Sequence, residues 1–193
     1  MTGIFKFNNV EVFGSDGKVT PSGMPSNSVL QVVCTPKTDT TECLDANTLV
    51  TYTTATIQTK ATNSKILVCH TVEYGGAANL YGFGKYYRTV SGDSDVQLFV
   101  MTASSHGTNS SNGNWSINLD VYNDANTDYK TRIKRFEVLD EPNKASGTTI
   151  NYVFKGSGDT SANDLVINRS YTDPGNNYRG PGCTNTVLYE VAP

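Results

Sequence analysis

Apolar and polar residues alternate along most of this chain with a period of two, as in β-strands that bury one face. The clearest case is the run 115–122, in which every second residue is apolar and Ser, Asn and Asp lie between them. No run of useful length has a helical period. The predicted strands are 29–35, 49–59, 65–73, 80–90, 96–103, 115–122, 131–139, 149–156, 164–171 and 185–191.

Clusters of Gly, Asn, Asp, Ser and Pro separate these runs, for example at 91–93, 156–159 and 173–176. Charged residues make up only 17% of the chain. Thr, Ser, Asn and Gly are abundant, which suits strands with polar outer faces and tight turns. Many short strands with regular turns predict an all-β fold, built as an antiparallel β-sandwich or a barrel.

The first 28 residues differ from the rest. Residues 4–7 and 10–13 alternate like two short strands, and residues 20–28 are rich in Pro, Gly and Ser, as in a linker. We therefore divide the chain into an N-terminal arm and linker, 1–28, and a β-sandwich domain, 29–193. The alternative is a frayed tail or an edge hairpin of the same domain. If the arm docks onto a larger assembly, its apolar residues would make the contact: Phe5, Phe7, Val10 and Phe13.

Length and charge exclude several classes of function. A chain of 193 residues accommodates one domain with a proper core. The net charge of −3 argues against a broad nucleic-acid-binding surface, which needs a basic excess. No apolar run approaches a membrane span, and no signal peptide is visible at the N-terminus. We therefore expect a protein that is made and kept in a cytosol or released by lysis, with no membrane insertion.

Four cysteines occur, at Cys34, Cys43, Cys69 and Cys183. Because no export signal is visible, we expect reduced thiols packed on strands. If a disulfide does form, Cys34 with Cys43 is the most plausible pair, since a hairpin could bring them together.

No motif nominates a catalytic centre. Cys69 and His70 are neighbours in a predicted strand, so their side chains point to opposite faces and cannot form a nucleophile pair. The segment 124–128 resembles the start of a calcium loop, but Arg135 stands where an EF-hand has Glu. A polar turn is the simpler interpretation, and a surface calcium of another kind is the alternative. We predict a protein that is not an enzyme and has no cofactor and no metal.

Aromatic residues cluster in the middle of the chain. Exposed rings flanked by Asn and Asp are what a sugar-binding surface would use, because ring faces stack on the apolar faces of sugars. The candidate glycan-contacting residues are Tyr81, Tyr86, Tyr87 and Trp115. The alternative is that these rings fill the core or a subunit interface.

Several short segments also occur in a characteristic order. They are Val29–Val33, Lys37–Thr40, Asn63–Val68, Leu139–Pro142, Val166–Ser170 and Thr186–Pro193. This order resembles an all-β domain of bacteriophage virion proteins, of the tail-fibre or receptor-binding kind found in marine phages. The resemblance covers roughly residues 29–193 and is loose between 75 and 129.

The resemblance implies a jelly-roll sandwich similar to the trimeric heads of complement-C1q and tumour-necrosis-factor-like proteins. Lys65–Val68 would be a core strand, and Thr186–Val191 a closing strand near the trimer axis. Arg88 would pair with a nearby acidic residue. Asn168 and Arg169 would bond backbone carbonyls and amides.

The function that the resemblance implies is that of a homotrimeric virion component, a fibre, knob or appendage that attaches the particle to the host surface. Its partners would be copies of itself, other virion proteins (capsid, portal, tail or fibre-attachment proteins) and a host glycan. It would be located in the virion and assembled in the cytoplasm of the host bacterium. The alternative is a capsid decoration, or cement, protein that stabilises the head shell.

Overall fold

The computed structural model describes residues 5–7, 10–13, 20–43, 48–76, 82–99, 116–119, 131–158, 165–170 and 184–193. These residues form one short 3-10 turn, Pro21–Gly23, and β-strands only. The strands are β1 (Phe5–Phe7), β2 (Val10–Phe13), β3 (Val29–Lys37), β4 (Thr41–Cys43), β5 (Val50–Gln58), β6 (Lys65–Gly76), β7 (Phe83–Val90), β8 (Val96–Leu98), β9 (Ile117–Asn118), β10 (Arg132–Asp140), β11 (Thr149–Ser157), β12 (Leu165–Ile167) and β13 (Thr184–Val191).

The first large sheet has four columns of antiparallel strands in the order β3, β13, β6, β10. Two of these columns each contain two successive strands with a break between them: β3 and β4 in one, and β12 and β13 in the other. After Lys37 the outer column resumes as β4, which pairs with β12, and β12 pairs in turn with the far end of β6. We call this sheet the β6 sheet.

The second large sheet runs β5, β11, β7, and its last column consists of β8 and β9 along the same edge of β7. We call it the β11 sheet. If the columns are numbered one to eight along the chain, the β6 sheet has the order 1-8-3-6 and the β11 sheet 2-7-4-5. This is the strand order of a jelly roll, in which two Greek keys form a double-layered sandwich. The predicted all-β antiparallel fold is confirmed.

The core lies between the two sheets and is rich in aromatic side chains. Tyr86 of β7 stacks on Phe136 of β10, with 5.5 Å between the ring centroids, and lies 5.9 Å from Phe154 of β11. Isoleucine, leucine and valine from both sheets surround these rings. Since an aromatic side chain buries roughly 150–250 Å², contacts across the layers hold the two sheets together.

His70 of β6 lies in this aromatic cluster and is fully buried. Its ring is 4.5 Å from that of Phe154, and its Nδ1 is 2.8 Å from the Thr186 hydroxyl. The Nε2 atom has no hydrogen-bond partner among the described residues. Burial lowers the pKa of His70 from 6.5 to about 3, because the apolar surroundings disfavour the imidazolium. His70 is therefore a neutral core residue.

Asn168 closes the break in the β6 sheet. This residue is fully buried and has a left-handed backbone with φ of 64°. Its side-chain amide donates to the carbonyls of Lys37 (2.7 Å) and Asp39 (2.9 Å), and its side-chain oxygen accepts from the Thr184 amide (2.8 Å). The bonds to backbone carbonyls and an amide predicted for Asn168 are confirmed. Arg169 instead forms an ion pair with Glu42.

An ion pair joins the two sheets near the ends of β7 and β10. Arg88 Nη1 donates to Asp140 Oδ1 at 2.6 Å, which confirms the acidic partner predicted for Arg88. Tyr152 of β11 donates its hydroxyl to the other oxygen of the same carboxylate at 2.8 Å. Burial and the adjacent Asp140 carboxylate raise the pKa of Tyr152, so its hydroxyl stays a donor.

Cys34 is a free thiol. The hairpin that would have brought it to Cys43 does not form, because β3 and β4 run in the same direction along one edge of the sheet and pair with β13 and β12 respectively. The interpretation of Cys34 with Cys43 as the most plausible pair is therefore wrong.

The two predicted arm strands pair with each other as a separate two-stranded sheet. Phe5 pairs with Phe13, Lys6 with Glu11 and Phe7 with Val10. β2 lies next to the turn Pro21–Gly23.

Candidate assembly surface

The outward face of the β6 sheet carries a continuous apolar row. Val32 of β3 pairs with Tyr189 of β13, Tyr189 pairs with Leu67 of β6, and Leu67 pairs with Leu139 of β10. Because directly paired residues lie side by side on one face of a sheet, the four side chains form a line across all four columns. At a strand spacing of about 4.8 Å, the line is roughly 14 Å long.

This row faces away from the core. The neighbours that alternate with its residues, Leu188 and Val68, are fully buried between the sheets. Val32 and Leu139, at the two ends of the row, are 53% and 51% exposed. Tyr189 and Leu67 in the middle are half-buried by their neighbours on the sheet. Contiguous exposed apolar side chains are a common feature of association sites on soluble proteins, so this row is a candidate for one.

The next row of the same face is apolar over three strands and ends in a charged residue on β10. Cys34, Val187, Cys69 and Glu137 pair in that order across the sheet. Cys34 and Cys69 are two columns apart, about 10 Å at the usual strand spacing, so they cannot form a disulfide with each other. Burial, and the Glu137 carboxylate to a lesser degree, raise the pKa of the Cys69 thiol. That thiol is therefore a packing group rather than a nucleophile.

Charges on this face stand at its rim and occur in opposite pairs. Arg135 and Glu137, two residues apart on the edge strand β10, form an ion pair. Lys65 Nζ is 3.1 Å from Glu141 at the other end of the same edge. An apolar centre with a polar rim is the anatomy of a protein–protein interface. We call this face, centred on the row Val32–Tyr189–Leu67–Leu139, the assembly face.

The outward face of the β11 sheet is different. Its side chains are Thr51, Thr54, Thr56, Lys85, Tyr87, Thr89, Gln97, Asn151, Val153 and Lys155. The Thr56 hydroxyl donates to the Asn151 side-chain oxygen at 2.8 Å, a bond between neighbouring strands on the surface. This polar face suits contact with water, so the two sides of the sandwich are chemically distinct.

The four candidate glycan-contacting residues separate in the structure. Tyr86 is fully buried and belongs to the core. A glycan cannot reach it, so its assignment as a ligand contact is wrong, and the alternative that the rings fill the core holds for this residue. Tyr87, the next residue, points to the polar face, where Lys155 Nζ lies 5.1 Å from the centre of its ring. Tyr81 and Trp115 lie outside the described residues, as does the segment 124–128.

Three connections, 59–64, 91–95 and 141–148, lie at one end of the sandwich. There the backbone amide of Thr59, after β5, donates to Thr148 O, before β11, and the amide of Asn63 donates to Lys144 O. Glu190, fully buried near the end of β13, accepts from the amide of Lys60 at 2.7 Å. These bonds fasten the connections to one another and to the last strand.

The chain also enters and leaves the sandwich at this end. The Asn27 amide donates to Ala192 O at 3.1 Å, and the Ala192 amide donates to Ser28 O at 2.8 Å. The arm therefore joins the sandwich beside its last strand. Two long connections, the one after Ile167 and the one before Arg132, leave strands toward the opposite side, together with those after Cys43, Gly76 and Ser157. These two long connections thus lie away from the end at which the arm joins the sandwich.

No groups of three or more His, Cys, Asp or Glu that could hold a metal ion occur among the described residues. In that part of the chain, no helix has the length and apolar character needed to cross a membrane. Cys69 and His70 face opposite sides of β6, as predicted, so they do not form a pair.

No family model and no curated protein matches the chain. Three solved structures that it resembles come from infectious bursal disease virus. The Gx strain structure has a TM-score of 0.42 and 12% identity over 84% of this chain. The Gt strain structure and the VP2 subviral particle each have a TM-score of 0.35 and 13% identity over 86%.

This chain spans 37% of the first of those viral chains and 39% of the other two. At these TM-scores the likeness assigns no function. The jelly-roll assignment rests on the order and register of the strands.

Proposed function

We propose that this protein is a virion structural protein of a bacteriophage, a component of a fibre, knob or appendage that assembles with copies of itself through the assembly face. The observation that carries the proposal is the apolar row across the β6 sheet. Covering the exposed valine, leucine and tyrosine side chains of this row with another surface lowers the free energy by about 25 cal/mol per Å² of apolar area removed from water.

A second copy of the chain is the occupant that the charges favour. The assembly face carries charges of both signs, Lys65 and Arg135 together with Glu73, Glu137 and Glu141. A surface of one sign would select a partner of the opposite sign, whereas a rim of mixed sign can meet a copy of itself without strong repulsion. Most soluble oligomers are assemblies of identical chains. The resemblance to phage virion domains favours three copies.

The two ends of the sandwich support an orientation on the particle. The arm joins the end whose connections are hydrogen-bonded to one another, so this end would face the particle. The opposite end, where the long connections leave the strands, would face outward. Loops at that end would contact a host surface, because binding residues sit mostly on loops held by a rigid scaffold. Three copies side by side would add avidity to weak individual contacts.

Leu67→Asp tests the assembly face directly. A carboxylate in the middle of the row must lose its water when a second copy covers it, so we expect the variant to sediment as a monomer of 20.9 kDa. Thr54→Asp is the matched control, because it places the same charge on the exposed polar face of the β11 sheet and should leave association unchanged. A Leu67→Asp chain that associates like the natural one would contradict the proposal.

Immunogold labelling of intact particles tests the virion role. Antibody against the sandwich domain should place gold on the tail or on projections from the head. Gold spread evenly over the shell would instead favour the cement alternative. Particles without any label would overturn the virion role.

A further inference from the structure

We infer that β10 pairs with β10 of a second copy, antiparallel and about a twofold axis at Phe136, so that the β6 sheets of the two copies join edge to edge. The inference goes beyond the proposed function. The assembly face is the flat side of the β6 sheet, whereas this pairing takes place at the edge of the sheet. One contact therefore does not exclude the other.

The backbone of β10 is accessible along one side. Its other side pairs with β6 in an unbroken register over all nine residues, Arg132–Asp140. In the part of the chain that the structure describes, no strand pairs with the outer side of β10. The side chains along it are open to water: Ile133 is 66% exposed and Leu139 51%, and Arg135 and Glu137 are exposed as well. The N–H and C=O groups of such an edge are a template for a further strand.

The other long edge strands of the described structure carry features that discourage strand pairing. β3 contains Pro36, which has no amide hydrogen, and its register with β13 shifts between Glu190 and Val191. The register of β5 with β11 shifts between Phe154 and Lys155. Proline and irregular pairing are the usual means by which proteins protect the edges of their sheets. β10 has no proline and no shift in its register, so it is the edge best suited to bind another strand.

The sequence of β10 is complementary to itself about Phe136. When two copies run antiparallel with Phe136 opposite Phe136, the flanking residues meet as opposite charges or as two apolar side chains, apart from one mixed pair. The pairs are Arg135–Glu137, Ile133–Leu139, Arg132–Asp140 and the mixed pair Lys134–Val138. Opposite charges and apolar side chains that face each other directly across two strands stabilise an antiparallel sheet. The partner that fits this edge is therefore a second copy of the same edge.

Neighbouring registers bring like charges together. Moving the axis to Arg135 sets two arginines opposite each other, and moving it to Glu137 sets two glutamates opposite each other. With the axis at Phe136, Arg135 and Glu137 of both copies form a group of charges that alternate in sign, because the two residues already form an ion pair within one chain. The charges thus select one register. A twofold contact of this kind uses the same surface on both copies, as most pairs of identical chains do.

The contact is small. It follows a single strand, roughly 30 Å long at about 3.4 Å per residue. It is therefore smaller than an ordinary stable interface, which buries about 800 Å² on each partner. We expect the edges to pair where copies are held close together, as on a particle, and the species present in micromolar solution to stay unchanged. On the particle, the pairing would join one assembly of copies to the next.

Disulfide capture in the full-length protein tests the pairing, because a covalent bond traps a weak contact. The double variant Ile133→Cys/Leu139→Cys places one thiol near each end of β10. Six residues separate the two positions, about 20 Å along the strand, so the new thiols cannot join within one chain. In the paired edges each of them faces the other position on the second copy, with Cα atoms about 4.5–5.5 Å apart. Mild oxidation of a concentrated solution should give a covalent species of twice 20.9 kDa, and peptide mass spectrometry should place the bond between positions 133 and 139.

The two single variants are the matched controls. In the proposed register, position 133 of one copy lies about 20 Å from position 133 of the other, and the same holds for position 139. Neither single variant should therefore cross-link above the level that the natural cysteines give. Adding Val32→Asp to the double variant disrupts the assembly face at the opposite edge of the sheet and should leave the cross-link in place.

Each other outcome overturns a defined statement. A double variant that cross-links no more than the natural protein would show that the edges do not pair. Cross-linking of a single variant through its new thiol would overturn the register centred on Phe136. A cross-link that disappears with Val32→Asp would mean that the assembly face, and not the edge, brings the thiols together. The substituted side chains are at least half exposed, and near-UV circular dichroism establishes that each variant retains the packed sandwich.

Discussion

His70 should make the sandwich sensitive to acid. Its imidazole is fully buried among aromatic rings, and burial lowers its pKa from 6.5 to about 3. In the unfolded chain the same group titrates near 6.5. Between these two values the unfolded state binds a proton that the folded state does not, so the free energy of unfolding falls as the pH is lowered.

The size of the effect follows from the two pKa values. Well below pH 6.5 each pH unit costs about 1.4 kcal/mol, and the loss between pH 6.5 and 4.5 is about 2 kcal/mol. The full loss, complete only below pH 3, is about 5 kcal/mol. Domains of this size are typically stable by only about 5–15 kcal/mol. A loss of this size is a large fraction of such a stability.

Urea unfolding at several pH values between 7 and 4.5 measures this effect. His70→Met keeps an apolar group of similar size in the core and removes the titration, so its free energy of unfolding should fall less with pH than that of the natural protein. The slope is the readout, because loss of the bond to Thr186 changes the absolute stability at every pH. Thr54→Ala, an uncharged change on the exposed face of the β11 sheet that leaves His70 in place, serves as the control and should keep the natural slope. Equal slopes for His70→Met and the natural protein would refute the reasoning.

Two further predictions concern the polar contacts that hold the sandwich. Asn168→Ala should lower the free energy of unfolding by about 3 kcal/mol, since it removes three hydrogen bonds and leaves the buried Thr184 amide unpaired. Asn143→Ala is the control, because Asn143 also has a left-handed backbone but makes one side-chain hydrogen bond, and it should lower the free energy of unfolding by about 1 kcal/mol. Equal losses in urea unfolding would contradict the role of Asn168. Arg88→Ala and Asp140→Ala should each lower the free energy of unfolding by about 3 kcal/mol, because each single change leaves a largely buried charge without its partner. The double variant should lose much less than the sum of the two single losses. Additive losses in that double-mutant cycle would show that the two side chains are not coupled.

The strands could be predicted well from the sequence because most of them bury one face. The run 65–73 alternates between core residues such as His70 and outward residues such as Cys69, and it is strand β6 in the structure. β4 was missed because its three residues, Thr-Glu-Cys, are too few to show a period. Tyr86 was misassigned because pattern alone does not tell which of two adjacent tyrosines, Tyr86 or Tyr87, points inward.

The assembly face could not be predicted from the sequence, because it depends on how strands distant in sequence are aligned. Val32, Leu67, Leu139 and Tyr189 come from four strands and are unremarkable in their local segments. A shift of one residue in any strand would turn its member of the row toward the core. The break closed by Asn168 is a partial exception, since its bonds to backbone groups were expected from the resemblance.

The central claim is that the apolar row across the β6 sheet is a surface on which copies of this chain meet. Sedimentation velocity of the natural protein at micromolar concentration tests it most directly. The account predicts a single species of three times the 20.9 kDa of one chain. A species that remains at 20.9 kDa as the concentration is raised would contradict it.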